Sequence, residues 1–276
     1  MKSLDPIDRN HENLYLSCVG QTQNEEIRNL LINMTGRVVA NGIAYEDSVR
    51  IGRSDLVTQM AMTDDERFEI SKVYDSRLVS KSGVERPTYD KVRTLTGKCP
   101  FCGFGEVYEV DHYLPKNAFP ELNVLPKNLL PICHPCNHIK HSGLPEGPDS
   151  NLIHPYFDNL PNERWLFADL TIENGGPVLH YYVQLDARFG ILCQRLEYHF
   201  AKLQLSRRMK EQSARVLVEM EADIDQHLAD IGTVGMSQHF REAGQHSLQL
   251  HGNVIETAAF FSASENEQYC AGAFKS

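Results

Sequence analysis

The sequence predicts an α+β fold. A small strand–strand–helix unit held by four cysteines is embedded in mainly helical N- and C-terminal segments, with one further β-hairpin. Three observations predict it. Two CxxC pairs, Cys99-Pro-Phe-Cys102 and Cys133-His-Pro-Cys136, bracket two short strand-like runs. The windows on either side carry apolar residues at helical spacing. Asn174-Gly-Gly-Pro177 separates two further alternating runs, as a hairpin turn does.

Residues 1–90 form a helical N-terminal region. Ile27, Leu30, Leu31 and Met34 fall on one helical face within Asn24–Met34. Asp64 and Asp65 lead a charged stretch to Tyr74 that also reads as helix. Residues 75–86 read as a loop, and Thr88–Leu95 as a short helix leading to Cys99. The second region spans residues 91–150. After the turn Gly103-Phe-Gly105, Glu106–Val110 alternates as a strand ending at Asp111-His112. Pro115, Pro120 and Pro126 punctuate a loop, and Asn128–Ile132 suits a second strand. A helix can begin near Pro135, where the missing N–H costs least, and Gly143 and Pro145 stop it. Residues 151–276 form a C-terminal α/β region. It has strands at Leu166–Ile172 and Val178–Leu185, a long helical stretch from 187 to about 230, and a Gly-, Ser- and Gln-rich tail read as flexible. Within that tail, Asn253–Phe261 is a short helical candidate.

The 276 residues are 41% hydrophobic and 23% charged, enough apolar material for a core. The N-terminus lacks an apolar signal core and no 18-residue apolar run occurs, which points to a cytoplasmic chain that neither spans a membrane nor is secreted. Cys18, Cys193 and Cys270 lie scattered and are expected to be reduced. A net charge of −10 suits nucleic acid poorly, because phosphate neutralisation supplies most non-specific affinity. Residues 195–215 are the local exception, with six bases against two acids, Arg207 and Arg208 among them. That strip reads equally as a docking surface for nucleic acid or an acidic partner and as a solvated helix face.

Four thiolates close a tetrahedral zinc site, so Cys99, Cys102, Cys133 and Cys136 are the expected structural Zn2+ ligands. The thirty residues between the pairs exceed the gap of about fifteen to twenty found in simple ribbons. The surplus accommodates Asp111-His112 and its loop. With four thiolates filling the tetrahedron, His134 and His138 are expected outside it. A histidine whose pKa lies near neutrality takes a proton from water, which makes His112 the natural general base. Asn128, on the opposing strand, has an amide able to fix the ring or the loop. Asp111 shares a site with His112 only if the strand kinks between them; a regular strand sends them to opposite faces.

Cys99-x-x-Cys102, Val110-Asp-His-Tyr-Leu-Pro115, Asn128-Leu and Cys133-x-x-Cys136-Asn137-x-x-Lys140 together resemble the HNH endonucleases, also called ββα-metal or His-Me finger nucleases. The resemblance covers about forty-five residues. It implies a ββα-metal finger in which Asp111 is a ligand of the catalytic cation and Asn128 supports the base. Asn137 stands where the family often has histidine. Paired carboxylate and amide oxygens favour Mg2+ or Mn2+ over Zn2+. His141, four residues after Asn137, is a further candidate ligand if the helix reaches it. Lys116, Lys127 and Lys140, with Arg207 and Arg208, are candidate nucleic-acid contacts, each set against an ordinary surface role.

The flanking Phe119-Pro120, His154-Pro-Tyr-Phe-Asp158 and Arg164-Trp-Leu resemble a subset of bacterial HNH proteins, some found with ATPases in phage-defence systems such as Septu-type and retron-linked pairs. The resemblance implies a metal-dependent endonuclease, DNA favoured, acting in anti-phage defence with a protein partner such as an ATPase. The alternatives are an RNA (tRNA) nuclease and a non-catalytic zinc-finger adaptor for such a partner. For His154 and Asp158 the spacing gives no catalytic role; Tyr156 and Phe157 are expected to anchor the segment by packing.

Overall fold

The computed structural model describes Met1 and residues 3–275. The chain divides into two compact units, Met1–Asn159 and Leu160–Ser276. Helices dominate both, and each contains one small antiparallel hairpin.

Among the described residues of the first unit, five α-helices precede the cysteine segment: α1 (His11–Gly20), α2 (Glu25–Asn33), α3 (Thr35–Arg50), α4 (Asp64–Tyr74) and α5 (Arg86–Arg93). Their starts are written in polar side chains. Asn10 and Asn24 accept from the first-turn amides of α1 and α2, and Thr63 and Glu66 close a reciprocal capping box on α4. Residues 75–86 are not all loop, because Asp75–Val79 continues α4 as a turn of π-helix. Strands β1 (Glu109–His112) and β2 (Leu129–Ile132) pair antiparallel, with His112 opposite Leu129, and α6 (His134–Lys140) follows.

One core joins helices and hairpin. Leu14, Leu31, Val38, Ile70 and Val92 from α1–α5 pack in the same buried cluster as Val110 of β1 and Leu129 of β2. The five helices are therefore the surface against which the hairpin buries its inner face, since two short strands alone cannot exclude water.

The second unit is built on β3 (Leu166–Glu173) and β4 (Gly176–Val183). Asn174 and Gly175 make the two-residue turn, both at positive φ (53° and 80°), as the twist of a tight hairpin requires. Helices α7 (Ile191–Lys202), α8 (Leu205–Gln212), α9 (Ala214–His251), α10 (Ile255–Ser264) and α11 (Glu267–Cys270) complete it. α10 covers β3: Ser262 Oγ accepts from Leu170 N at 2.6 Å, and Asn266, just beyond α10, donates to Leu170 O at 2.8 Å. The tail read as flexible is helical. α9 is interrupted only at Gly232 (φ 66°, ψ 177°) and resumes to His251. Its Gly-, Ser- and Gln-rich arm is held by packing: at Gly244 a Cβ would come within 3.1 Å of the Phe261 ring of α10. Among the described residues, no helix is long and apolar enough to cross a membrane.

Candidate functional site

The four cysteines converge. Cys99 and Cys102 lie on the turn before β1, Cys133 caps α6, and Cys136 lies in its first turn. All four are buried, and their sulfurs lie within 4.8 Å of one another, with Cys102 Sγ 3.9 Å from Cys133 Sγ. Zinc–sulfur bonds of about 2.3 Å at tetrahedral angles put sulfurs about 3.8 Å apart, so the donor set fits that ion. Among the described residues, no other group of three or more His, Cys, Asp or Glu meets this spacing. Hydrogen bonds from Cys133, Cys136 and Cys99 push the Cys102 thiol below its ordinary value, while the same mutual contacts push Cys99 and Cys136 up, so Cys102 is the thiol that ionises first. Gly105 is a member that spacing did not disclose. Its N–H donates to Cys102 Sγ at 3.3 Å, and a Cβ there would sit 2.8 Å from Cys133 Sγ. His134 and His138 are exposed and outside the cluster; His134 faces Glu109 at 3.3 Å.

β1 runs regularly to its end, and its burial alternates. Val110 and His112 face the core, while Glu109 and Asp111 face α6, where they meet His134 and Lys140. The kink that would turn Asp111 and His112 to one side is absent.

His112 is 3% exposed. Its Nε2 lies 2.9 Å from the carbonyl of Asn123, and the Tyr74 ring meets it edge-on at 4.4 Å between centroids. A carbonyl can only accept, so Nε2 carries the proton and Nδ1 is the basic nitrogen. Burial pushes the imidazole down to about 4, against the Asp111 charge and the Asn123 carbonyl, which raise it. Asn123 is a site residue the sequence did not reveal. Its own side chain is tied to Ile70 O at 2.8 Å, which holds the carbonyl in place.

Asn128 is fully buried and fixes the loop, not the ring. Its Oδ1 accepts from Leu114 N at 2.8 Å, and its Nδ2 donates to Leu114 O at 3.1 Å and Leu122 O at 3.2 Å. The last bond reaches the residue before Asn123, so Asn128 supports His112 at one remove. Asn137 is half-buried in α6 and, among the described residues, makes no side-chain hydrogen bond that would occupy its amide. His141 departs from expectation. α6 ends at Lys140, and His141 leaves it at φ 49° with its Nδ1 bonded to Ser142 Oγ. His141 is the cap of α6, its N–H donating to Asn137 O at 3.0 Å.

The candidate phosphate contacts are mostly occupied. Lys116 pairs with Asp75, Lys127 with Glu46 and Arg207 with Glu211. Such exposed pairs are worth about 0–1 kcal/mol and exchange partners readily. Lys140 and Arg208 are different, because both are buried. Lys140 turns inward to Asp111, and Arg208 donates to Leu203 O at 3.1 Å. Arg195 is buried too, which leaves the basic strip with four of its six cations at the surface. His154 is a satisfied core histidine: Tyr156 N donates to its Nδ1 at 3.1 Å, and its Nε2 meets Tyr45 Oη at 2.9 Å. Tyr156 anchors the segment by donating to Leu129 O of β2.

Two curated proteins are similar to this chain. One is Protein ea31 of Escherichia phage lambda, 31% identical over 161 residues, covering 56% of this chain and 54% of that protein. The other is Septu protein PtuB of Bacillus thuringiensis, 31% identical over 132 residues, covering 43% of this chain and 50% of that protein. The chain thus spans about half the length of the curated relatives it matches. No family model and no solved structure matches.

Proposed function

We propose that the β1–β2–α6 unit is a ββα-metal finger of the HNH type, and that the protein is a metal-dependent endonuclease, DNA favoured, acting in bacterial anti-phage defence. The observation that carries the reading is the fixed tautomer of His112. Its Nε2–H is committed to the Asn123 carbonyl, which leaves Nδ1 as the one nitrogen able to take a proton. Asp111, on the opposite face of β1, suits a hard cation, and serving one phosphate with His112 requires the end of β1 to turn when substrate binds. Its Oδ2 is buried and, although ion-paired with Lys140, makes no hydrogen bond of good geometry. With the uncommitted amide of Asn137, it offers an all-oxygen donor set matched to Mg2+ or Mn2+. When bound, such an ion neutralises charge developing on the phosphate and the leaving oxygen.

In this mechanism His112 Nδ1 accepts a proton from water as the water oxygen bonds to phosphorus. The bond from phosphorus to the 3′ oxygen breaks, and that oxygen takes a proton from solvent, leaving 5′-phosphate and 3′-hydroxyl ends. Asn123 and Asn128 keep the imidazole aimed. Because His112 is 3% exposed, substrate has to open its side of the strand before water reaches it. The acidic body and the paired surface lysines support a partner, an ATPase subunit by the resemblance, that supplies much of the nucleic-acid grip. The similarity to Septu protein PtuB supports the setting in phage defence.

The test is Mg2+- or Mn2+-dependent cleavage of DNA and of total RNA, with and without the product of the neighbouring gene. His112→Ala should abolish cleavage while zinc content and folding persist; retained cleavage would sink the assignment. A second reading, a non-catalytic adaptor, draws on the burial of His112 and on the opposite faces taken by Asp111 and His112. It prevails if the protein binds nucleic acid yet nicks none under any partner condition.

A further inference from the structure

Asp111 already faces a cation, one supplied by the chain itself. Lys140 is 4% exposed at the last residue of α6. Its ammonium lies 2.9 Å from Asp111 Oδ2 and donates to the carbonyl of His112 at 2.6 Å. Both acceptors belong to adjacent residues of β1, so one side chain pins α6 to the end of the strand. A lysine is tolerated at such depth only when its charge is paired and hydrogen-bonded. It cannot swing to solvent without leaving Asp111 unpaired and losing the bond to His112.

We propose that Lys140 is a positioning residue that occupies Asp111 in the cation-free protein and holds the divalent-cation affinity of that carboxylate low. The inference rests on the reading of Asp111 as a cation ligand. The reason is Coulombic. A divalent ion on Asp111 sits within about 5 Å of a fixed, poorly hydrated positive charge, which at intermediate dielectric outweighs a tenfold change in affinity. Lys140 also fixes the half-buried carboxylate, since its oxygen is held at one end of the pair. This role differs from a surface contact to phosphate, for which the buried ammonium is wrongly placed.

The experiment titrates Mn2+ into the full-length, zinc-loaded protein without nucleic acid, reading free Mn2+ by electron paramagnetic resonance. Lys140→Met removes the charge at nearly constant shape, Lys140→Gln removes it while keeping a donor for the His112 carbonyl, and Lys140→Arg keeps it. Zinc content and thermal melting verify folding, and the glutamine variant serves if the methionine variant fails to fold. The neutral variants should bind one Mn2+ at least tenfold more tightly than wild type, and the arginine variant within about threefold of it. Asp111→Asn should remove that binding in every background. Unchanged or weaker binding in the neutral variants, with Asp111 still required, overturns the role of Lys140 alone. Binding indifferent to Asp111→Asn overturns the cation reading beneath it.

Discussion

Replacing His11 with leucine should remove one limb of the acid sensitivity of the Met1–Asn159 unit. His11 opens α1, and its ring lies against Gly42 of α3, where a Cβ would come within 2.5 Å of Nδ1. Nε2 is buried without a hydrogen-bond partner. Burial pushes the imidazole from its ordinary 6.5 down to about 4. The folded value is the lower one, so between those limits the unfolded chain binds protons that the folded chain refuses. Stability is therefore present in full above pH 6.5, falls as pH drops through the window, and levels off below about 4. At pH 4.5 the two values give a loss of about 2.5 kcal/mol attributable to His11. Leucine fills similar space, carries no charge and leaves no orphaned nitrogen. His11→Leu should match wild type within about 1 kcal/mol at pH 7.5 and exceed it by about 2 kcal/mol at pH 4.5. Hydrogen exchange of α1 and α3 amides across this range is the assay. Trp165, the only tryptophan, lies in the other unit and provides an independent reference. Any metal released from the cysteine cluster in acid is released from both proteins and cancels in their difference. Parallel pH curves for the two would refute the reasoning.

Asn128→Ala should cost about 2–4 kcal/mol, because it strands the Leu114 amide and two carbonyls in a dry loop; a denaturant midpoint within error of wild type would contradict this. Gly105→Ala should lower zinc stoichiometry measured by metal analysis, since the methyl group would press on Cys133 Sγ; full loading would show that the turn yields. Gly232→Ala meets no atom within 4 Å, so its cost is conformational only, about 1–3 kcal/mol because φ 66° with ψ 177° is a region essentially reserved for glycine, readable as a shift in the Trp165 unfolding transition.

The legible parts of the fold are those that residue type and spacing encode locally. The hairpin at Asn174-Gly175 is one case, because its turn needs two positive φ values that this pair supplies. The start of α4 is another, because Thr63 and Glu66 carry a reciprocal capping signal. The convergence of the cysteines was legible for a chemical reason, four thiols at two CxxC spacings having few other uses in a reduced protein. Three features were hidden by their nature. Asn123 acts through a main-chain carbonyl, which leaves no mark on residue type. Lys140 is buried against the habit of lysine, because a partner distant in sequence offers a carboxylate. The second arm of α9 is helical through its contact with α10 despite an unpromising composition, as tertiary packing overrides propensity. α6 stops at Lys140, and His141 caps it at positive φ, which its residue type did not announce.

α6 carries two attachments within seven residues. Cys133 and Cys136 tether its beginning, and Lys140 grips β1 from its end. At a rise of 1.5 Å per residue those ends are only about 10 Å apart. So short a rod transmits displacement instead of absorbing it. A shift at the cysteine end of α6 is therefore carried to Lys140, and through it to Asp111, by a helix of two turns.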